Sequence, residues 1–279
     1  MADCGNSAWF KKGSGTVVRS TLWAVPATVP DPFLNHAGNS SISRVNIIAL
    51  DAMDPFSLNV IYEDNHLLAV VKPAGLATMG TPPGKPTLLE SAKQYVKHRY
   101  NKPGNVYLGV ISRLDAPVTG VVLLARTSKA ARRLSEQFRN RSVGKSYWTI
   151  VEGLVRSGSG RCVDWLIKDE RHRRMHVSAQ TVAGAKEARL EYRRLAKLDG
   201  LTLLEVQLEP GRKHQIRVHM ASLGHPLIGD TRYGGDPWRS RIALHAAQII
   251  VPHPVSKDPI TIACPCPDTF DSLVPRTRA

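Results

Sequence analysis

Ile111-Ser112-Arg113-Leu114-Asp115-Ala116-Pro117-Val118-Thr119-Gly120 runs straight into Val121-Val122-Leu123-Leu124-Ala125. The second half reads as a buried strand, because an unbroken apolar run bounded by turn residues keeps no face for water. The first half is a loop punctuated by Pro117 and Gly120, and it carries an acid, Asp115, two residues after Arg113. A carboxylate on a loop supported by a rigid element is where chemistry is commonly placed. An isolated R-x-D fits a structural salt bridge or a turn cap just as well, so the surrounding stretches have to decide.

Upstream, Val60-Ile61-Tyr62, the turn Glu63-Asp64-Asn65 and Leu67 to Val71 read as a hairpin ended by Lys72-Pro73-Ala74-Gly75. After a Gly/Pro-rich loop over 80–86, Thr87 with Glu90 forms a capping box, and Leu88, Leu89, Ala92, Val96 and Arg99 continue at helical spacing to about Tyr100. Downstream of the apolar run, Thr127-Ser128 offers an N-cap to a helix striped by Ala130, Leu134 and Phe138. Its Arg132, Arg133, Arg139 and Arg141 form a solvated basic face, which a phosphate backbone also suits.

Ser146 to Glu152 reads as a strand with Tyr147, Thr149 and Val151 on one face. Lys168 to His176 reads as a basic, strand-free loop ahead of a strand near Ala188, Leu190 and Tyr192. Leu204, Val206 and Leu208 alternate with polar residues in a half-buried strand that Pro210-Gly211 ends. Ile216, Met220 and Leu223 then line one face of a helix stopped by Gly224 and Pro226, with Arg217 in its first turn. Strands that neighbour one another in sequence, with helices between the groups, predict an α+β fold on a mostly antiparallel or mixed sheet.

The chain's 279 residues, 42% hydrophobic, support a sizeable core, and 38 Lys+Arg against 23 Asp+Glu leave a net charge of +15. Such a field attracts polyanions: RNA, DNA or an anionic membrane surface all satisfy it. No stretch is long and apolar enough to span a membrane, and no signal peptide is visible, so a cytosolic protein is expected. Cys264-Pro265-Cys266-Pro267 lacks two further ligands at usable spacing, so no metal is expected. Residues 1–56, rich in scattered Gly, Ser, Asn and Pro, read as a loosely ordered extension, and 57–279 as a single domain.

Four separated motifs in a fixed order carry a resemblance. They are Val71-Lys72-Pro73-Ala74-Gly75, the Arg113-Leu114-Asp115 stretch, Gly144-Lys145-Ser146-Tyr147-Trp148, and Gly211-Arg212-Lys213-His214-Gln215-Ile216-Arg217-Val218-His219 closed by Gly224-His225-Pro226-Leu227-Ile228-Gly229-Asp230-Thr231-Arg232-Tyr233-Gly234. Together they resemble the RluA-type family of RNA pseudouridine synthases over roughly residues 58 to 268.

The resemblance implies a curved mixed sheet with peripheral helices and a central cleft. It also implies isomerisation of uridine to pseudouridine in structured RNA, ribosomal or transfer, without cofactor or metal; a monomer is expected. The family's indispensable carboxylate falls on Asp115, and its second and third catalytic positions fall on Tyr147 and Arg217. A guanidinium there is expected to orient Asp115 through a bidentate charge-assisted bond. Tyr147 would offer a ring to stack on uracil and a phenol to relay a proton. RNA- and substrate-binding positions fall on Arg113, Thr119, Arg212, His214, Gln215, Ile216 and His219; Arg113 would fill the space a flipped uridine leaves. The chain departs from the family in having Ser112 where His is usual, Thr119 where Ser is usual, and Ala116 beside the acid. A non-catalytic RNA-binding protein with the same fold is the alternative, but a binder has no need of a carboxylate in a basic site that must accept phosphate.

Overall fold

The computed structural model describes residues 58–172, 174–209, 211–238, 241–267 and 270; the expected N-terminal extension lies outside them. Strand β1 (Asn59–Glu63) turns back into β2 (Leu67–Lys72), and Asp64 ties the turn by accepting the His66 and Leu67 amides. Helix α1 (Leu88–Arg99) starts on the expected capping box, with Thr87 accepting from the Glu90 amide and Glu90 accepting from the Thr87 amide. β3 (Gly109–Val110) is short, and β4 (Thr119–Ala125) is buried along its whole length. Each of its Val and Leu side chains contributes about 1.5 to 3 kcal/mol by leaving water. α2 (Ser128–Arg139) follows, capped by Thr127, which accepts the Ala130 amide.

The second half is strand-rich: β5 (Gly144–Glu152), β6 (Ser159–Asp169), β7 (Arg174–Ser178), β8 (Lys186–Lys197) and β9 (Leu201–Leu208). α3 (Gln215–Ser222), β10 (Leu244–Pro252) and β11 (Pro259–Ala263) complete the described elements. Among the described residues, all strands join one 11-stranded sheet ordered β1-β2-β4-β10-β5-β9-β8-β6-β7, with β11 on β10 and β3 on β4. Among the described strands, only β4 and β10 pair in parallel, so the sheet is mixed as expected.

Two expectations change. Lys168 to His176 is not strand-free: Trp165 to Asp169 pair in register with Ser178 to Arg174, so its basic residues ride on a hairpin. The physical reason is that β6 carries on past the end of its apolar run, and pairing with β7 satisfies backbone groups that local hydropathy cannot report. Leu223 is 46% exposed as the C-cap of α3, while Ile216 and Met220 are buried.

Strand pairing between the halves runs through β4 and β10, at Thr119↔His245 and Gly120↔Ala246. Gly120 permits this contact, since at φ +117° an added Cβ would come within 2.3 Å of the Ala246 carbonyl. An irregular step after Ala246 shifts the β10 register against β5. Leu244 packs in one core cluster, and Ile249 and Val251, beyond the shift, pack in another.

Candidate active site

Asp115 sits just before β4, on a loop clamped from the N-terminal side. Ala116 O accepts from the Gly75 amide (2.8 Å) and from Lys72 Nζ (2.9 Å), and Thr78 Oγ1 donates to Leu114 O (2.9 Å). Lys72 is fully buried and donates two more bonds, to Pro73 O (2.8 Å) and Leu76 O (2.7 Å). Burial pulls its ammonium down to about 8, while the Asp115 charge acts the other way. Three carbonyl acceptors match the three N–H groups of the charged form. The Asp115 carbonyl accepts the Val118 amide (3.0 Å), closing the turn through Pro117 that feeds β4.

Arg217, in the first turn of α3, is 5% exposed and spans two acids. Its Nη1 donates to Asp115 Oδ2 (2.9 Å), while Nε and Nη2 grip Asp230 Oδ2 (2.6 Å) and Oδ1 (2.7 Å). The expected bidentate bond therefore goes to Asp230, and Asp115 receives a single donor. Burial lowers the Arg217 pKa, but Asp230 and Asp115 more than offset it and hold the guanidinium above its ordinary value. Asp230 is itself buried, on a turn that Gly229 permits: at φ +84° a Cβ there would stand 1.9 Å from the Arg241 carbonyl.

His214, the N-cap of α3, adopts a left-handed backbone (φ +53°). Its Nε2 stands 3.4 Å from Asp115 Oδ2, and its Nδ1 is 2.8 Å from Tyr233 Oη, which also accepts the Met175 amide of β7 (2.8 Å). Oη accepts from Met175 and has its own proton to give to Nδ1, an arrangement in which the ring proton sits on Nε2. Burial drops the imidazole to about 4, so it is neutral at neutral pH. The Arg217 guanidinium lies 5.1 Å above the Tyr233 ring.

Tyr147 faces the same region from β5, opposite Ala246 and Val206. Burial, with the Asp115 charge adding, pushes its phenol up to about 12. Asp115 itself is 30% exposed at its side chain. Asp115, Tyr147, Arg217 and His214 are thus brought together.

The other expected positions divide. Arg113 is exposed, and Arg212 is half-buried with Nε donating to Glu187 O (3.0 Å). Thr119 is buried, its hydroxyl 2.8 Å from His245 Nδ1. Gln215 accepts the Arg212 amide (2.8 Å) and donates to Arg189 O (2.8 Å), bracing the loop before α3. Ile216 lies in the core, and His219, fully buried, has Nε2 3.5 Å from Asp164 Oδ2 without hydrogen-bond geometry. Sequence reasoning assigned no role to Asp230, Lys72 or Tyr233, although all three stand in quoted motifs. Their signal was a charged or phenolic residue beside an obligatory glycine or proline.

The site is a carboxylate held by a buried arginine, beside a neutral histidine and a protonated tyrosine, on a chain of net charge +15. The RNA pseudouridylate synthase family model matches residues 66–222. An uncharacterized RNA pseudouridine synthase of Bacillus subtilis is 34% identical over 220 residues, covering 77% of this chain and 71% of that protein. The ribosomal large subunit pseudouridine synthase D of Xanthomonas campestris is 36% identical over 239 residues, 79% of this chain and 70% of that one. The solved structure of human RNA pseudouridylate synthase domain containing 4 has the same fold, with TM-score 0.64 at 24% identity over 76% of this chain and 90% of that chain. By its sequence, its fold and the order of the motifs that build this site, the chain belongs to the RNA pseudouridine synthase family, isomerases that act on RNA.

Proposed function

We propose that Asp115 carries the isomerisation of uridine, with Arg217 orienting it and Tyr147 stacking on the base. The observation that supports this is the division of labour on the carboxylate. Arg217 and His214 both approach Oδ2, and among the described residues Oδ1 has no partner. One oxygen is anchored and the other is left for substrate, which is the preorganisation a nucleophile or base needs.

In the reaction the N1–C1′ bond breaks, the uracil turns, C5 bonds to C1′, and the proton on C5 leaves while N1 gains one. Asp115 supplies an electron pair at C1′ or C6, or removes the C2′ proton. Tyr147, protonated at neutral pH, offers its ring to the freed base and relays the C5 proton by passing on its own. Arg113 and Arg212 engage the RNA, and Arg113, which is exposed, enters the space that the flipped nucleotide leaves. Thr119, His214, Gln215, Ile216 and His219 shape and brace the pocket.

We read residues 57–279 as one catalytic domain working as a cytoplasmic monomer without cofactor. Among the described residues, no helix is long and apolar enough to cross a membrane. Large-subunit ribosomal RNA is the substrate to try first, because relatives such as the Xanthomonas campestris protein carry that name. The test is tritium release from C5-labelled uridine in transcribed, unmodified ribosomal RNA. The parental protein should release it, and Asp115→Asn should not while still binding the RNA. Release by Asp115→Asn at the parental rate would place the chemistry elsewhere.

A further inference from the structure

Lys145 is a semi-buried cation that the site described above does not use. It stands two residues before Tyr147 on β5, so strand alternation puts both side chains on one face, about 7 Å apart along the strand. Its partner on β10 is Ile249, while that of Tyr147 is Ala246. Nζ lies 5.7 Å from the centre of the Phe138 ring of α2. On the other side it meets Gly211, where an added Cβ would stand 3.5 Å from Nζ. The ammonium thus bridges from α2 toward the loop that leads to His214 and Arg217.

Other buried cations of the site are answered. Arg217 has Asp230 and Asp115, and Lys72 has its three carbonyls. Among the described residues, Lys145 has the distant Phe138 face and no carboxylate pairs with it. Burial lowers its pKa and no neighbouring charge counters that. An ammonium withdrawn from water without a counter-anion is costly. Such a charge is useful where a ligand brings the anion. Gly211, exposed and without a side chain, leaves that flank of Nζ uncovered.

We infer that Lys145 is a binding site for a backbone phosphodiester, seating the RNA one pleat from Tyr147, beside the nucleotide held at Asp115. A lysine suits this, being a compact point charge that follows a phosphate without demanding a bidentate geometry. The identity of the anion rests on the synthase reading.

Lys145→Met keeps the apolar stem and removes the charge. With transcribed, unmodified large-subunit ribosomal RNA as probe, its Kd at low salt should weaken about tenfold. The slope of log K against log salt should become shallower by roughly 0.7 to 0.9, the value of one lost phosphate contact. Lys145→Arg should restore most of that slope. The thermal midpoint of the free Lys145→Met protein should rise, because an unanswered charge has left the interior. Parental Kd and slope in Lys145→Met would overturn the site. A fall in thermal midpoint would make Lys145 a structural residue, and a loss confined to kcat at parental Kd would make it part of the chemistry; either result overturns the assignment. Tritium release by the parental protein tests the synthase reading separately, and the salt slope decides the phosphate contact whether or not release is seen.

Discussion

Arg217 holds two acids, and the same Asp-to-Asn change at each should have opposite consequences. Asp230→Asn replaces a buried carboxylate, which accepts bonds of 2.6 and 2.7 Å, by an amide whose NH2 would point at guanidinium donors. One bond is lost and a buried charge is left with only the partly exposed Asp115 as counter-ion. Breaking one side of such a pair costs about 3 to 5 kcal/mol. For a domain of this size that lowers the thermal midpoint by about 6 to 20 °C, a large share of the roughly 5 to 15 kcal/mol that holds a domain folded. Asp115→Asn leaves Arg217 its bidentate partner and alters a side chain that is 30% exposed. Its stability change should stay within about 1 kcal/mol, since the lost contact is one partly solvated bond. Activity runs the other way: Asp115→Asn removes the reacting group, whereas Asp230→Asn keeps it and loosens its orientation, for a loss of about ten- to a hundredfold in kcat. Calorimetry and the tritium assay on both variants check this. Asp230→Asn melting within 2 °C of the parent, or Asp115→Asn melting lower than Asp230→Asn, would refute the reasoning.

Tyr233→Phe leaves the Met175 amide and His214 Nδ1 without their shared hydroxyl, costing about 1 to 3 kcal/mol for the unpaired groups. Because that hydroxyl supports the neutral ring, the His214 pKa should rise among Asp115, Arg217, Lys213 and Arg232, and the acid limb of the kcat profile should move to higher pH; an unmoved limb would show that the ring's state does not reach Asp115. Acid should also unfold the protein through His214 and His245, both of which burial drops to about 4 from an ordinary 6.5. Between those values the unfolded chain binds more protons than the folded one, so this stability is full above about 6.5 and is lost as pH falls toward 4, at roughly 2 to 3 kcal/mol per ring. Urea midpoints at pH 7.5, 5.5 and 4.5 measure it, and equal midpoints would count against it.

The sequence by itself determined what depends on near neighbours. The Thr87 capping box, the apolar run of β4, the alternation of Leu204, Val206 and Leu208 and the stripe of α2 all follow from spacings of two to four residues, and each appears in the structure. It also named Asp115, Tyr147 and Arg217, through motifs whose order along the chain is specific even where each motif alone is not. Which partners these residues take was not legible. Arg217 divides itself between Asp230, thirteen residues on, and Asp115, over a hundred residues back. The Thr119 hydroxyl meets His245 because β4 lies beside β10, and Lys72 anchors Ala116 because the loop after β2 folds over the start of β4. The β6–β7 hairpin, too, is a matter of pairing: a polar strand has no hydrophobic signature, and its backbone groups are satisfied only by the strand laid next to it. Periodicity reports which face of an element is buried. The order of strands in the sheet, set by burial of the whole core, decides which charge meets which, and so gave Arg217 its second acid and, among the described residues, left Lys145 with none.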